Sequence, residues 1–382
     1  MKIFIEPSDV LMFRDGKPFS GGDDHYARGI FPPSPSTFYG SIRSRILSET
    51  FPQYESVKEG RIPDPVAREI GTPSTYGSLA ITNFLLAQKT HKEVLPLFPA
   101  PKDIVRIKRE DKKEEDELIK GKDELLLLSP HSDVSAKLRF NLSEPVLVPL
   151  WLKDERPLEE VSGFLSTDIM TGYLIGEVPD AIISSESLYV REERVGIKKD
   201  RIRRSAATGA LYSVEYFRLK EGVGFCLDLN GVTSLPKEGL LRLGGDHRSA
   251  YYKETTFSMP SVGTIKRKVK ENKRFKVMLL TPAIFNKGWL PDWVNKETGK
   301  GQVNGLELQL VSAAVGKPLS IGGFDLVKST PKDMKRAVPS GSVYYFEHNE
   351  ESAEEIFNAF WLKSISSEKQ KEGFGITIIG GY

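Results

Sequence analysis

The chain has 382 residues, 39% of them hydrophobic and 28% charged, a length comfortable for two domains and a balance that suits a packed core. A net charge of +2 excludes binding of a polyanion by bulk charge, so any nucleic-acid site must come from local clustering. Cys226 is the only cysteine, which excludes an internal disulfide and a cysteine-built metal cluster. Ile3, Phe4 and Ile5 suit a first strand. The segment "MKIFIEPSDV" is too short and too broken by Pro7 for a signal peptide, and apolar runs such as "ELLLL" fall far below a membrane span. The expectation is a soluble, cytoplasmic protein. A loop rich in turn formers, "RDGKPFSGGDDHYARGIFPPSPS", precedes "STFYGSIRSRILSE", which reads as a helix. Ser36 or Thr37 can cap that helix, Phe38, Ile42, Ile46 and Leu47 make its apolar stripe, and Pro52 stops it. Residues 108–124 carry six positive and eight negative side chains and read as a solvated hairpin tip or a disordered insert. "PVLVPLWL" reads as a strand and "LEEVSGFLST" as a short helix. From about residue 186 long alternating strands take over, among them "ESLYVREERVGI", "GALYSVEYFRLK", "VGFCLDLNGV", "GLLRLGGDHRSAYYK", "RFKVMLLTPAIF" and "AVPSGSVYYFEH". A last helix, "EESAEEIFNAFWLKSIS", is capped near Ser352 and turns Ile356, Ala359 and Phe360 inward. The pattern predicts an α+β fold with antiparallel sheets in two halves, divided near residues 180–215.

The closing stretch "GFGITIIGGY" holds four glycines around an apolar run. A dinucleotide loop needs a strand before its glycines and a helix after them; here a helix comes before and none follows. The plain reading is a strand with flexible glycines. The sharper one is that the glycines admit another backbone at close range.

Two basic clusters stand out. Residues 191–205 hold seven basic and three acidic side chains, and residues 266–276 hold seven basic and one acidic. On a strand, Lys199, Arg201 and Arg203 would share one face and Lys198 and Arg204 the other, as on an exposed ribbon. Tyr189, Tyr212, Tyr216 and Phe217 nearby could stack on unpaired bases, against the plainer reading of a solvated surface. Of the five histidines, His25 lies in "GGDDHYARG", where Asp23, Asp24 and His25 could supply metal ligands or a general base, although an exposed turn is the default. In "LGGDHRSAYY", Asp246 can pair with Arg248 across a turn and His247 can touch an RNA backbone. No zinc spacing and no nucleophile elbow occurs.

Six pieces in order, "IFPPSPSTFYGSIRSRI", "VGIKKDRIRRSAATGALYSVEYFR", "LGGDHRSAYY", "VGKPLSIGGFDL", "AVPSGSVYYF" and "GFGITIIGGY", resemble the CRISPR-associated RAMP superfamily, most closely the third-subunit family of the Cmr (type III-B) effector complex. The resemblance implies two ferredoxin-like (RRM-like) domains in tandem, at residues 1–185, with the charged insertion near 102–140, and 186–382, ending in the family's glycine-rich loop. It implies a non-catalytic structural subunit that takes no cofactor or metal. Such a subunit binds the 5′ tag of the CRISPR guide RNA and bridges the large polymerase/cyclase-like subunit to the backbone subunits. A nucleotide at the interface with the large subunit also fits. The RNA-binding residues implied are Lys198, Lys199, Arg201, Arg203, Arg204, His247, Arg248, Gly373, Gly375 and Gly380, the glycines through backbone amides offered to phosphates. The family's threonine three residues after Asp200 is replaced by Arg203, which leaves the mode of contact there open. The rival expectation is a RAMP endoribonuclease that processes CRISPR RNA with His25 as general base, paired with Tyr26, Tyr39 or Lys17.

Overall fold

The computed structural model describes residues 1–14, 26–51, 56–57, 59, 61–108, 124–132, 147–199, 206–246, 248–325, 329–348 and 353–382. In chain order the main elements are β1 (Lys2–Pro7), α1 (Pro35–Thr50), α2 (Asp64–Ile70), β2 (Ala80–Lys89), β3 (Val94–Pro99), α3 (Thr167–Leu174), β4 (Tyr189–Lys199), β5 (Ala206–Leu219) and β6 (Val223–Asn230). Then come β7 (Glu238–Arg242), β8 (Ser249–Glu254), α4 (Val262–Asn272), β9 (Arg274–Leu279), β10 (Lys300–Val303), β11 (Leu306–Ala314), β12 (Val343–His348), α5 (Ala353–Phe360) and β13 (Thr377–Gly381).

The first sheet runs Phe164–Leu165, β3, β2, β6, β1, β8, β7, and its neighbouring strands pair antiparallel. The second runs β10, β11, β12, β9, β13, also antiparallel. Within each sheet four strands repeat one order, in which the first strand lies between the third and the fourth: β2–β6–β1–β8 and β11–β12–β9–β13. The fold is thus α+β with antiparallel sheets, as expected. The division between sheets falls after β8, not at residue 185/186. Alternation alone did not show that β6 slots between β2 and β1, with Ile3 opposite Leu227 and Ile5 opposite Phe225.

Strict alternation makes the first sheet apolar on both faces. Ile3, Ile5, Phe84, Leu86, Phe225 and Leu227 meet Phe38, Ile42 and Ile46 of α1. Phe4, Leu85, Ala87 and Cys226 join the larger core shared with the second sheet. The stripe expected for α1 is therefore buried, but its cap differs. Ser34 occupies the N-cap without a side-chain bond, and Pro35 starts the helix with its ring-fixed φ. Ser36 instead gives its hydroxyl to Glu372. "LEEVSGFLST" is not a helix: Leu158–Glu160 and Phe164–Leu165 are short strands, Gly163 sits at φ +139, and the helix begins only beyond Ser166, whose hydroxyl accepts from the Ile169 amide. The charged run 109–123 and the cap at Ser352 lie outside the described residues.

Where the insertion after β3, α3 and the second sheet meet, four polar side chains are enclosed. Asp103 is fully buried and accepts from the hydroxyls of Tyr173 (2.7 Å) and Tyr345 (2.5 Å). Lys276, from the middle of β9, is 1% exposed; its ammonium lies 3.9 Å from Asp103 and 3.3 Å from the centre of the Tyr173 ring. Attraction to the carboxylate and to the ring face offsets part of the cost of taking that charge out of water. Burial still lowers the Lys276 pKa to about 8 from 10.5, with Asp103 opposing the shift. Between those two values the unfolded chain holds more protons than the folded one. Stability from this group is therefore complete above 10.5 and is lost as pH falls through about 8. We expect the Tm of the wild type, measured against that of Lys276→Met, to gain as pH rises from 7.5 to 10. A difference that stays flat would mean that the amine is solvated.

Candidate nucleic-acid interface

The glycines of the last strand do not face outward. Residues 373–381 are buried. The amide of Gly373 donates to the Gln370 carbonyl and that of Gly375 to the Pro282 carbonyl, while Gly380 pairs with Lys276 in the sheet. The expectation that Gly373, Gly375 and Gly380 offer open amides to phosphates is corrected accordingly: the close approach is made by the chain's own backbone. A Cβ at Gly380 would stand 2.5 Å from the carbonyl oxygen of Leu174 at the end of α3. At Gly375, where φ is +67, it would stand 2.5 Å from the Ser366 nitrogen. Just before them, Glu372 accepts from Ser36, from Tyr76 (2.7 Å) and from Lys369 (3.5 Å), and so ties this segment to the start of α1. Burial works to raise the Glu372 pKa, but Lys369, Ser36 and Tyr76 outweigh it and hold the carboxyl below its ordinary value.

β4 and β5 form a long two-stranded ribbon, to which Tyr26–Ala27 adds a short parallel third strand. At its root the charges are spent within the molecule. Arg194 and Arg248 lie on Tyr216, 4.9 and 5.1 Å from its ring centre. Arg248 bonds Asp246 (2.9 Å) and Asp9 (3.2 Å), and Arg218 bonds Asp9 and Glu192, which also holds Arg194. The pairing of Asp246 with Arg248 is the one expected. Asp9 carried no signal in the sequence, because nothing local shows that it lies beside β5. Tyr216 and Phe217 are buried, so they do not offer faces to bases. Further out, Val195 (64% exposed) and Ile197 (49%) project into solvent. Lys198 and Lys199 continue β4, but their side chains lie outside the described set, as do Arg201, Arg203, Arg204, His25 and His247 as whole residues. Of the partners expected for His25, Lys17 is also outside the described residues. Tyr39 is buried and gives its hydroxyl to the Leu79 carbonyl at 3.4 Å. Burial raises the Tyr39 pKa, which makes it a poor surface acid. Among the described residues no three His, Cys, Asp or Glu side chains are grouped to hold a metal ion.

Beside the ribbon root lies a cleft of about 650 Å³. Its walls come from the loop Ile30–Pro33, from Tyr189 to Arg191 of β4, from Leu280 to Pro282 after β9, and from Leu319, Pro339 and Ser340. Leu319 starts a second arm, in which Leu319–Ile321 pairs with Lys335–Ala337. Phe31 anchors the wall, its ring 4.2 Å from that of Tyr189 and 5.0 Å from that of Phe217. Glu215 is buried and accepts from the Gly29 amide (2.8 Å) and from Arg191 (3.2 Å), which pins the loop to the ribbon. Arg191 and Lys102 are cations at the cleft and Glu186 is an anion. The cleft was not legible in the sequence. "IFPPSP" marks only a stiff loop, and the other walls come from residues as far along the chain as Ser340.

A family model for CRISPR-associated protein (Cas_Cmr3) matches residues 3–381. The chain belongs to the Cas_Cmr3 family. A search of curated proteins finds no match. Among solved structures, a chain of a type III-B Cmr-beta complex bound to cognate target RNA and AMPPnP is 15% identical with a TM-score of 0.50, the match covering 90% of this chain and 86% of that one. A chain of the same complex bound to cognate target RNA gives 15% identity, a TM-score of 0.49 and the same coverage. The first of these supports the fold alone. Among the described residues of this Cas_Cmr3 member, no helix is long and apolar enough to cross a membrane.

In this family member the packing role of the terminal glycines sets an expected outcome. Gly380→Ala must push α3 away, at a cost of about 2 kcal/mol, the scale of overpacking a tight core. Gly40, on the exposed side of α1, has no atom within 4 Å of its missing Cβ. Gly40→Ala should gain up to about 1 kcal/mol from helix propensity. Chemical denaturation of both variants checks the pair; equal effects would mean that Gly380 is not in contact.

Proposed function

We propose that this protein is a non-catalytic subunit of a type III-B CRISPR effector complex in the cytoplasm. In this reading it holds the 5′ tag of the guide RNA and joins the large polymerase-like subunit to the backbone subunits. The observation that carries the reading is the cleft at the ribbon root, in a chain matched to Cas_Cmr3 from residue 3 to 381. A groove with aromatic and cationic walls suits unstacked single-stranded RNA, whose bases lie on rings while its phosphates meet Arg and Lys. Phe31, half-buried, supplies a ring at the wall, and Arg191 and Lys102 supply charge. Lys198 and Lys199 continue β4, and we assign them, with Arg201, Arg203 and Arg204, to phosphates further along the guide. The two sheets, with their shared strand order, are two ferredoxin-like units in tandem on this reading. The first unit extends to about β8.

The test is binding of guide RNA with and without its 5′ tag to the chain joined to the large subunit. Arg191→Gln removes the charge and keeps a polar side chain beside Glu215. Arg191→Gln and Lys102→Gln should each weaken tagged RNA about tenfold, or ~1.4 kcal/mol, and leave untagged RNA unchanged. Equal loss on both RNAs, or none on either, refutes tag recognition in the cleft.

A further inference from the structure

The second basic cluster of the sequence is a helix, α4. Ile265 and Val269 are its only buried side chains, so its apolar stripe is narrow and the rest is charge. Lys266 pairs with Glu354 and, just past the helix, Arg274 pairs with Glu347 at 2.7 Å. Among the described residues the side chains of Arg267, Lys268, Lys270 and Lys273 form no ion pair or hydrogen bond, and the one carboxylate on the helix, Glu271, is not bonded to any of them. Arg267, Lys270 and Lys273 are exposed. The ribbon root, by contrast, matches Arg194, Arg218 and Arg248 to Asp9, Glu192 and Asp246. The helix dipole favours Lys270 and Lys273 near the C-terminal end, but its effect fades within one turn and does little for Arg267. Four unspent cations within seven residues repel one another and weaken the helix, by a few tenths of a kcal/mol per like-charged pair.

We infer that the exposed face of α4 is a second nucleic-acid contact, which grips the sugar–phosphate backbone without reading bases. No exposed large apolar side chain lies on α4. Protein interfaces are poor in lysine and centre on apolar or aromatic side chains, whereas backbone contact needs only cations. The face is separate from the cleft. Arg274 begins β9 beside α4, and Leu280, one residue past the other end of β9, lines the cleft. At ~3.4 Å per residue the strand sets the two about 20 Å apart. The inference therefore stands or falls independently of tag recognition in the cleft.

The experiment measures binding of a 20-nucleotide oligouridylate and a 20-nucleotide oligothymidylate to the full chain across a range of KCl. The comparison is wild type against Arg267→Gln/Lys270→Gln/Lys273→Gln, with a polyglutamate 20-mer as competitor. Single-stranded contacts shed counterions with a slope near −0.7 per phosphate. Losing three contacts should flatten the plot of log K against log[KCl] by about two units, for both oligonucleotides alike, with a Tm no lower than that of the wild type. Arg191→Gln, in the cleft, should leave that α4-dependent component in place. An unaltered slope in the triple variant, no binding by the wild type, or displacement by polyglutamate as efficient as by oligonucleotide would overturn the inference. The last outcome would point to an acidic protein surface instead.

Discussion

The second sheet is joined to the rest of the molecule at a crossing where one strand has no side chain. Gly380 and Lys276 are partners across β13 and β9, so they share a face, and that face receives the end of α3. Because Gly380 yields its space, α3 comes close enough for Tyr173 to reach both Asp103 and Lys276. The next residue, Gly381, does the same on the opposite face, where Lys268 of α4 lies against it. A strand clasped by two helices at van der Waals distance can be built in few ways. The polar quartet it encloses adds directionality that an apolar core would lack.

The charges divide into two kinds. Around Tyr216 three arginines and three carboxylates cancel, which stiffens the ribbon root and leaves little net field there. On α4 the cations stay open. Net charge says nothing about this partition, since matched and unmatched lysines and arginines count alike in a total of +2. What separates them is whether a carboxylate distant in sequence, such as Asp9 beside Arg218 and Arg248, arrives in the fold.

Much of the fold could be read from the residues because alternation and helical stripes are local. The strands β4, β5, β6 and β9 and the stripe of α1 fall where they were expected, while "GLLRLGGDHRSAYYK", read as one strand, folds as the pair β7 and β8. What failed was local in a different way. Ser36 looked like a cap, but the proline before it already starts the helix, and its hydroxyl serves Glu372. The helix α4 was hidden because only Ile265 and Val269 mark its inner face amid lysines. The glycines of the last strand announced a close approach correctly. Sequence could not tell what approaches: at Gly380 it is the end of α3, at Gly381 Lys268 of α4, and at Gly375 the backbone at Ser366. The cleft was beyond reach, since its walls are brought together by pairings such as that of β1 with β6.

The tie between Ser36 and Glu372 spans most of the chain, and β1 must wait for β6 before its inner edge is covered. On the ribosome, α1 emerges long before the carboxylate that closes its first turn. The early half-sheet meanwhile exposes two apolar faces with an open strand edge. The first sheet is complete once β8 has been made, but α1 lacks its tie to Glu372 until the last strand follows, and long-range strand pairing is slow to complete. Until β8 is in place the half-built sheet leaves apolar surface and a strand edge uncovered, which are the features on which misassembly begins.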